Sequence, residues 1–268
     1  MLEKQEKMSN GVNKNRAFIS YLTIIRKELN RMFRLWTQTI LPSAITMFLY
    51  FVIFGAFIGS QVREISGFSY MQFIVPGLVM MAVITNSFQQ VVSGFYFSKF
   101  TRSIEEILVS PTPNFVIIGG YVTAGVIRGL VVGFAVLLIS LFFTHLVVYN
   151  LAIVTAFILL TSTLFSLAGL LNGLYAKNFD QVAIVPTFVL TPLTYLGGIF
   201  YSISFLPPFW HAVSQFNPVL YMVNGFRYGF LGVADVSVSF SFFILVFLNV
   251  ISLLILLNLF KKGAGLRS

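Results

Sequence analysis

The run VSVSFSFFILVFLNVISLLILLNLF, residues 236–260, contains no Asp, Glu, Lys or Arg and is followed directly by Lys261 and Lys262. A helix needs about 20 mostly apolar residues to cross the hydrocarbon core of a bilayer. The run therefore predicts a transmembrane helix with a basic end that stays in water.

The rest of the chain has the same character. Its 268 residues are 57% hydrophobic and 9% charged, and their mean hydropathy is +0.91. Average soluble domains carry about 25% charged residues. Most of this chain is therefore expected to lie in lipid, which excludes most classes of soluble enzyme and binding module. The absence of cysteine also excludes disulfide frameworks, cysteine-based zinc sites and thiol nucleophiles.

Five further charge-poor runs precede the quoted one, and a polar cluster around His145 and Asn150 predicts a turn between two of them. The pattern predicts an all-α polytopic membrane protein with six transmembrane helices, at about 38–59, 73–95, 116–143, 151–176, 181–200 and 239–260. The transmembrane domain then covers residues 37–262, between a flexible cytoplasmic tail at 1–16, an interfacial helix at 17–36, and a short tail at 263–268.

Basic residues near the ends of the spans predict the orientation. On one side of the membrane, the basic residues are only Arg63 and Arg227. The other side has Lys4, Lys7, Lys14, Arg16, Arg26, Lys27, Arg31, Arg34, Lys99, Arg102, Lys177, Lys261, Lys262 and Arg267. Both termini are therefore predicted to be cytoplasmic. The net charge of +9 is interpreted as a topology signal and not as a nucleic-acid-binding surface.

Two amphipathic elements are predicted on the cytoplasmic side. In the helix over 17–36, apolar residues recur every three or four positions, opposite Lys27, Arg31 and Arg34. Those cations would face anionic headgroups or a protein, although the helix could also be a plain anchor. In a second helix at about 97–110, the charged residues are Lys99, Arg102, Glu105 and Glu106. Arg102 and Glu106 are spaced to pair. The charges suit a docking partner, and a merely solvated face is the alternative.

The segment around the fifth span contains helix-breaking residues. Pro186, Pro192, Gly197 and Gly198 predict a bent helix, which favours a gating hinge as much as an ordinary kink. Farther along, two apolar pieces at about 202–230 are too short to cross the bilayer. We expect them to form a re-entrant hairpin beside a wet cavity, with Arg227 capping its outer end. The residues that divide this hairpin are Pro207, Pro208, Asn217 and Pro218.

The chemistry of the spans is sparse. Arg128 is the sole formal charge within the predicted spans, and a structural role is favoured over a substrate contact. His145 and His211 are interpreted as interfacial polar groups and not as metal ligands. The sequence contains no phosphate-binding G-x-x-x-x-G-K-[ST] motif, so any energy from ATP must come from another subunit. We predict no catalytic residue, no metal site and no cofactor.

Two stretches resemble the permease subunit of ABC-2-type exporters: RSIEEILVSPTP at Arg102–Pro113, and TPLTYLGGIFYSISFLPPFWHAVSQFNPVLYMVNGFRYGFLG at Thr191–Gly232. The resemblance implies two permease copies with two copies of a separately encoded ATPase, in the bacterial inner membrane. It makes Arg102–Leu108 the coupling helix that docks on the ATPase. It makes Ser202–Gly229 a re-entrant pair that closes the outer end of a path between the copies.

The leading hypothesis is therefore a permease that moves an amphipathic, lipid-linked or hydrophobic substrate outward. A passive channel or an uncoupled membrane scaffold is the alternative, because its spans would have the same composition. A membrane enzyme ranks third, since the sequence shows no nucleophile-and-base or metal constellation.

Overall fold

The computed structural model describes residues 2–59, 64–263 and 265, except for the side chains of 2–14 and of 56. Within this part of the chain the regular structure is helical, as predicted. The α-helices are α1 Leu2–Arg34, α2 Trp36–Thr39, α3 Leu41–Tyr50, α4 Tyr70–Phe100, α5 Ser103–Val109, α6 Asn114–Ser140, α7 Leu151–Tyr175, α8 Phe179–Val185, α9 Thr191–Tyr195, α10 Pro208–Gln215, α11 Pro218–Leu231 and α12 Val238–Lys262. Two π-helical segments, Phe51–Ile58 and Pro186–Leu190, continue α3 and join α8 to α9.

Five helical stretches of the described chain are long and apolar enough to cross a membrane: Trp36–Gly55, Tyr70–Phe100, Asn114–Ser140, Leu151–Tyr175 and Val238–Lys262. They correspond to predicted spans one to four and six. The predicted fifth span is a shorter helical stretch, from Phe179 to Tyr195 instead of 181–200. It ends at Tyr195, and Gly198, with a φ of 70°, has a left-handed conformation that does not continue the helix toward residue 200. A count of six spans therefore stays a prediction.

The centre of the protein is a group of three helices, α4, α6 and α7, each of which packs on the other two. Glycines allow their backbones to approach closely, as small residues do between membrane helices. A Cβ atom on Gly169 of α7 would overlap the carbonyl oxygen of Phe88 in α4. A Cβ on Gly129 of α6 would overlap the hydroxyl of Ser87, also in α4. The helix α4 is thus held between its two neighbours.

The long helices α4, α7 and α12 run in one direction and α6 runs in the other, so the bundle has two ends. At one end, which we call the terminal face, the Lys99 ammonium donates to the carbonyl of Leu174 at 2.6 Å, and the rings of Phe95 and Phe260 lie 6.0 Å apart. At the other end, the distal face, the backbone N–H of Asn150 donates to the carbonyl of Gly229 at 2.8 Å. The helix α5 and the C-terminal end of α12 belong to the terminal face.

The N-terminal region is a single helix, because α1 begins at Leu2, well before the predicted start at residue 17. It lies along α6, where the hydroxyls of Tyr21 and Thr123 are 2.8 Å apart. The predicted tails and loops include Arg63 and Arg267, which lie outside the described residues.

Candidate functional site

The terminal face presents the short helix α5. Its residue Ile104 is 2% exposed and belongs to an apolar cluster with Ile24 of α1 and Tyr121 of α6. Glu105 and Glu106, in the first turn, are exposed. The helix is therefore anchored by Ile104, with Ile107 and Leu108 packed against the same cluster, and its two carboxylates face away from the protein.

The prediction of one amphipathic helix over about 97–110 is wrong. The helix α4 ends at Phe100, and Arg102 has a φ of 58° just before α5 begins. Because Arg102 stands outside α5, the expected pair with Glu106 at helical spacing does not form. The left-handed backbone of Arg102 breaks the helix between α4 and α5, and the spacing of apolar residues does not reveal this break.

Lys99, predicted to point at a partner, points into the protein. Its ammonium donates to the carbonyls of Gly173, Leu174 and Ala176 at 3.3, 2.6 and 3.4 Å. These are the last carbonyls of α7 and its cap, which have no partners within the helix. Lys99 therefore stabilises the end of α7, whereas Arg102, Glu105 and Glu106 remain exposed.

The helix α1 contacts the α5 segment on both sides. The Lys27 ammonium lies 3.2 Å from the Ser98 hydroxyl of α4 and 3.4 Å from the Ser103 hydroxyl of α5. Beyond α5, the Thr112 hydroxyl donates to Ser20 of α1 at 3.1 Å. A movement of α5 would therefore act directly on α1 through these contacts.

The face that α1 turns toward the protein is not its most apolar one. Ile24, Glu28 and Met32 are buried, whereas Phe18 and Leu22 are 61% and 47% exposed. Arg31 lies against α4, and Arg34 is exposed. Part of the predicted apolar face, at Phe18 and Leu22, is thus exposed, and of the three predicted cations Arg31 is the one that is partly buried against α4.

A chain of hydrogen bonds, which we call the polar network, leads from α1 into the spans. Glu28, only 1% exposed, accepts from Arg31 at 2.7 Å and from the Gln90 amide of α4 at 3.2 Å. A Cβ atom on Gly94 would overlap the Glu28 carboxylate, so the glycine makes room for it. Gln90 in turn accepts from Arg128 of α6 at 3.2 Å.

Arg128 connects three elements at the other end of the polar network. Its guanidinium donates to Asn86 of α4 at 3.1 and 3.2 Å and to the backbone carbonyl of Thr39 in α2 at 3.1 Å. Asn86 donates onward to Ser43 of α3 at 3.1 Å. Arg128 is 5% exposed, and these contacts are structural, which agrees with the role favoured from the sequence.

A second group of polar contacts, which we call the distal cluster, surrounds Arg227. This residue is 2% exposed, lies 3.8 Å from the centroid of the Phe73 ring, and donates to the carbonyl of Gly198 at 2.6 Å. A guanidinium nitrogen is 3.7 Å from Asp235, whose carboxylate accepts from Ser202 at 2.5 Å. Arg227 therefore joins α11 to α4 and to the end of the fifth helical stretch.

The predicted hairpin consists of the short helices α10 and α11, which begin at Pro208 and Pro218. The Asn217 amide between them donates to the carbonyl of Leu193 at 2.6 Å, and its side-chain oxygen accepts from the N–H of Val219. Pro207 precedes α10, and Pro192 lies in the first turn of α9. Pro186 begins the π-helical segment, and Gly197 and Gly198 follow α9. The residues predicted as breakers thus delimit the elements, and their roles in gating stay predictions.

Sequence reasoning missed Glu28, Gln90 and Asn86. One signal for Glu28 was available: it stands four residues from both Ile24 and Met32, on the face of α1 that is buried.

Comparison with known proteins identifies similar chains. Residues 20–231 match the family described as ABC-2 type transporter. The chain is 55% identical over 251 residues to the inner membrane transport permease YadH of Escherichia coli (strain K12). This alignment covers 94% of this chain and 98% of that protein. It is 22% identical over 219 residues to nodulation protein J of Rhizobium leguminosarum bv. viciae, covering 80% of this chain and 83% of that one. The polar network and α5 both lie within the residues that match the family.

Proposed function

Because the chain belongs to the ABC-2 type transporter family, we propose that it is the transmembrane permease subunit of an ATP-driven exporter. Two copies form the path, and two copies of a separately encoded ATPase supply the energy. The terminal face lies in the cytoplasm, and the protein resides in the bacterial inner membrane. The substrate is amphipathic, lipid-linked or hydrophobic and moves outward.

The exposed acidic surface of α5 carries this proposal. Glu105 and Glu106 point away from the protein, and Ile104 holds the helix against the bundle. A helix so placed offers an ATPase a rigid contact. The contacts of Ser103 with Lys27 and of Thr112 with Ser20 connect that helix to α1.

The polar network supplies a route from this surface into the spans. Glu28 of α1, Gln90 of α4 and Arg128 of α6 are joined by two consecutive hydrogen bonds of 3.2 Å, and Arg128 continues to the carbonyl of Thr39 in the first span at 3.1 Å. A displacement of α1 by the ATPase would change these bonds before any apolar contact, because hydrogen bonds are directional. We assign the transmission of the power stroke to this route.

The proposed outward path ends at the distal face. There the hairpin of α10 and α11 would act as the gate, and the segment with Pro186, Pro192, Gly197 and Gly198 as its hinge. The scarcity of formal charge within the spans supports a lipid-like or uncharged substrate over an ion.

The test is a charge reversal on α5. The variants Glu105→Lys and Glu106→Lys, purified from native membranes in mild detergent, are expected to lose the ATPase subunit that the unaltered permease retains in a two-plus-two complex. Asp180→Lys is the matched control, because Asp180 is an exposed acidic residue in the first turn of α8 on the same face.

A permease that never retains an ATPase, but conducts solute across liposomes without ATP, would make the protein a passive channel. Equal retention by both α5 variants and the control would remove α5 from the docking surface.

A further inference from the structure

The middle of α4 is buried except along one stripe. Between residues 81 and 97, the side chains that are not buried recur at every fourth position, which places them on one face of the helix. We call these residues the α4 stripe: Met81, Thr85, Gln89, Ser93 and Phe97. Its three central members are polar, although the helix has the length and composition of a membrane span.

The hydroxyls of the α4 stripe are satisfied within the helix. Thr85 donates to the carbonyl of Met81 at 2.9 Å, and Ser93 donates to the carbonyl of Gln89 at 2.6 Å. Such bonds allow Thr and Ser to face either lipid or water. These two residues alone would therefore not distinguish the two surroundings.

The side-chain amide of Gln89 does distinguish them. Among the described residues it has no hydrogen-bond partner. It lies roughly 16 Å along α4 from the helix end at Phe100, at 1.5 Å per residue. Leaving an amide without a partner in hydrocarbon costs about 2–7 kcal/mol. A lipid-facing Gln89 is thus strongly disfavoured.

A cavity of about 490 Å³ lies against this part of the stripe. Gln89, Ser93 and Phe97 form one wall, and Val182, Ala183 and Thr187 of the fifth helical stretch form the facing wall. The Thr187 hydroxyl also has no hydrogen-bond partner among the described residues. Two separate elements therefore direct uncharged polar groups, free to bond, into one space.

Among the described residues that line this cavity, Arg31 carries the one formal charge. Its guanidinium lies 3.4 Å from the Ser93 hydroxyl of the α4 stripe and is already paired with Glu28 at 2.7 Å. From Met81 to Phe97 the stripe carries no formal charge. The other hydrogen-bonding side chains that line the cavity carry amide or hydroxyl groups.

We infer that the α4 stripe and Thr187 form the polar wall of the transport path, which water fills and where uncharged hydrogen-bonding groups of the substrate bind. This inference rests on the proposed transport function. It assigns Gln89 as the principal contact, because its amide has donors and acceptors left unused within the protein.

The absence of cysteine makes the test direct, since single cysteines can be introduced without removing any. Gln89→Cys and Thr187→Cys permeases, in inverted inner-membrane vesicles, are treated with a membrane-impermeant maleimide. Val250→Cys is the matched control, because Val250 is 49% exposed near the middle of α12. A thiol in lipid does not ionise. We therefore expect Gln89→Cys and Thr187→Cys each to react with the maleimide at least tenfold faster than Val250→Cys.

Equally slow reaction of Gln89→Cys and Val250→Cys would overturn the inference. So would rapid oxidative cross-linking of Gln89→Cys between two permease copies without maleimide reaction, because it would assign the stripe to a dry contact. If Gln89→Cys fails to accumulate, Thr85→Cys and Ser93→Cys carry the same comparison. Labelling needs no ATPase, whereas the proposed function is judged by ATPase retention, so failure of one is distinguishable from failure of the other.

Discussion

Arg128 and Arg227 are both buried, at 5% and 2% exposure, but the protein stabilises them in different ways. Arg128 has neutral partners in direct contact: the side chains of Asn86 and Gln90 and a backbone carbonyl. Its connection to a carboxylate runs through Gln90 to Glu28. Arg227 instead lies on an aromatic ring, with backbone carbonyls and Asp235 around it.

The two arrangements suit different tasks. The partners of Arg128 are mainly side chains on separate helices, and side chains can exchange partners when helices shift. The shortest hydrogen bond of Arg227, at 2.6 Å, is to the backbone carbonyl of Gly198, whose position is set by the chain itself. We therefore expect the polar network to rearrange during transport and the distal cluster to hold its segment together. The Nε atom of Arg227 has no acceptor, so this site is also less completely satisfied.

Loss of Arg128 should have the largest effect on stability. Arg128→Leu removes a donor from the oxygens of Asn86, Gln90 and Thr39, and the Ser43 hydroxyl remains 3.2 Å from the Asn86 oxygen. We expect the free energy of unfolding to fall by about 3–5 kcal/mol, because each buried acceptor that loses its donor costs about 1–3 kcal/mol. Reversible unfolding in mixed micelles, followed by the fluorescence of Trp36 and Trp210, measures the change.

Arg128→Lys is the matched control, because it keeps the charge but replaces the fork of donors by a single ammonium. Its loss of stability should be intermediate. If the leucine variant is as stable as the unaltered protein, the polar network does not hold these helices together.

Loss of Arg227 should reduce the stability less than loss of Arg128 does. Arg227→Leu removes donors from Gly198 and Asp235, but it also removes the unsatisfied Nε atom and keeps an apolar contact with Phe73. We expect a decrease of about 2 kcal/mol in the free energy of unfolding, within the range for one orphaned buried acceptor. The same micelle unfolding measurement applies, with Arg227→Lys as the control. A larger loss than that of Arg128→Leu would reverse the comparison.

The spans were predictable because lipid imposes one requirement that a linear count detects. A stretch of about 20 residues without charge has few other folds available in a bilayer. Residues 151–176 were predicted as a span, and α7 occupies Leu151–Tyr175. The structural role of Arg128 followed from the same rule, since an isolated charge at that depth needs partners within the protein.

The orientation of α1 was not predictable from its apolar period. In water, the apolar face of a helix must meet protein, but in a membrane lipid covers it equally well. The exposure of Phe18 and the burial of Glu28 reflect this competition. The carboxylate is buried because Gly94, far along the chain, leaves space for it and Arg31 neutralises it.

The break between α4 and α5 was missed for a different reason. Phe97, Phe100 and Ile104 have helical spacing, and this pattern persists across the left-handed residue Arg102. A period reports which side chains share a face and not whether the backbone between them is continuous. The inward orientation of Lys99 could not be predicted from the local sequence either, because the carbonyls that accept its hydrogen bonds belong to α7.

Loss of the Asp235 carboxylate in the distal cluster should have the smallest effect on stability. Asp235→Asn keeps the hydrogen bond from Ser202 and removes only a charge that lies 3.7 Å from Arg227 in a side chain that is 17% exposed. Such a pair is partly screened by solvent, so we expect a decrease below about 1 kcal/mol in the free energy of unfolding. Asp235→Ala, which also loses the Ser202 bond, should cost more. If Asp235→Asn matches Arg227→Leu instead, the ion pair holds the distal cluster, and Arg227 would depend on a carboxylate more directly than Arg128 does.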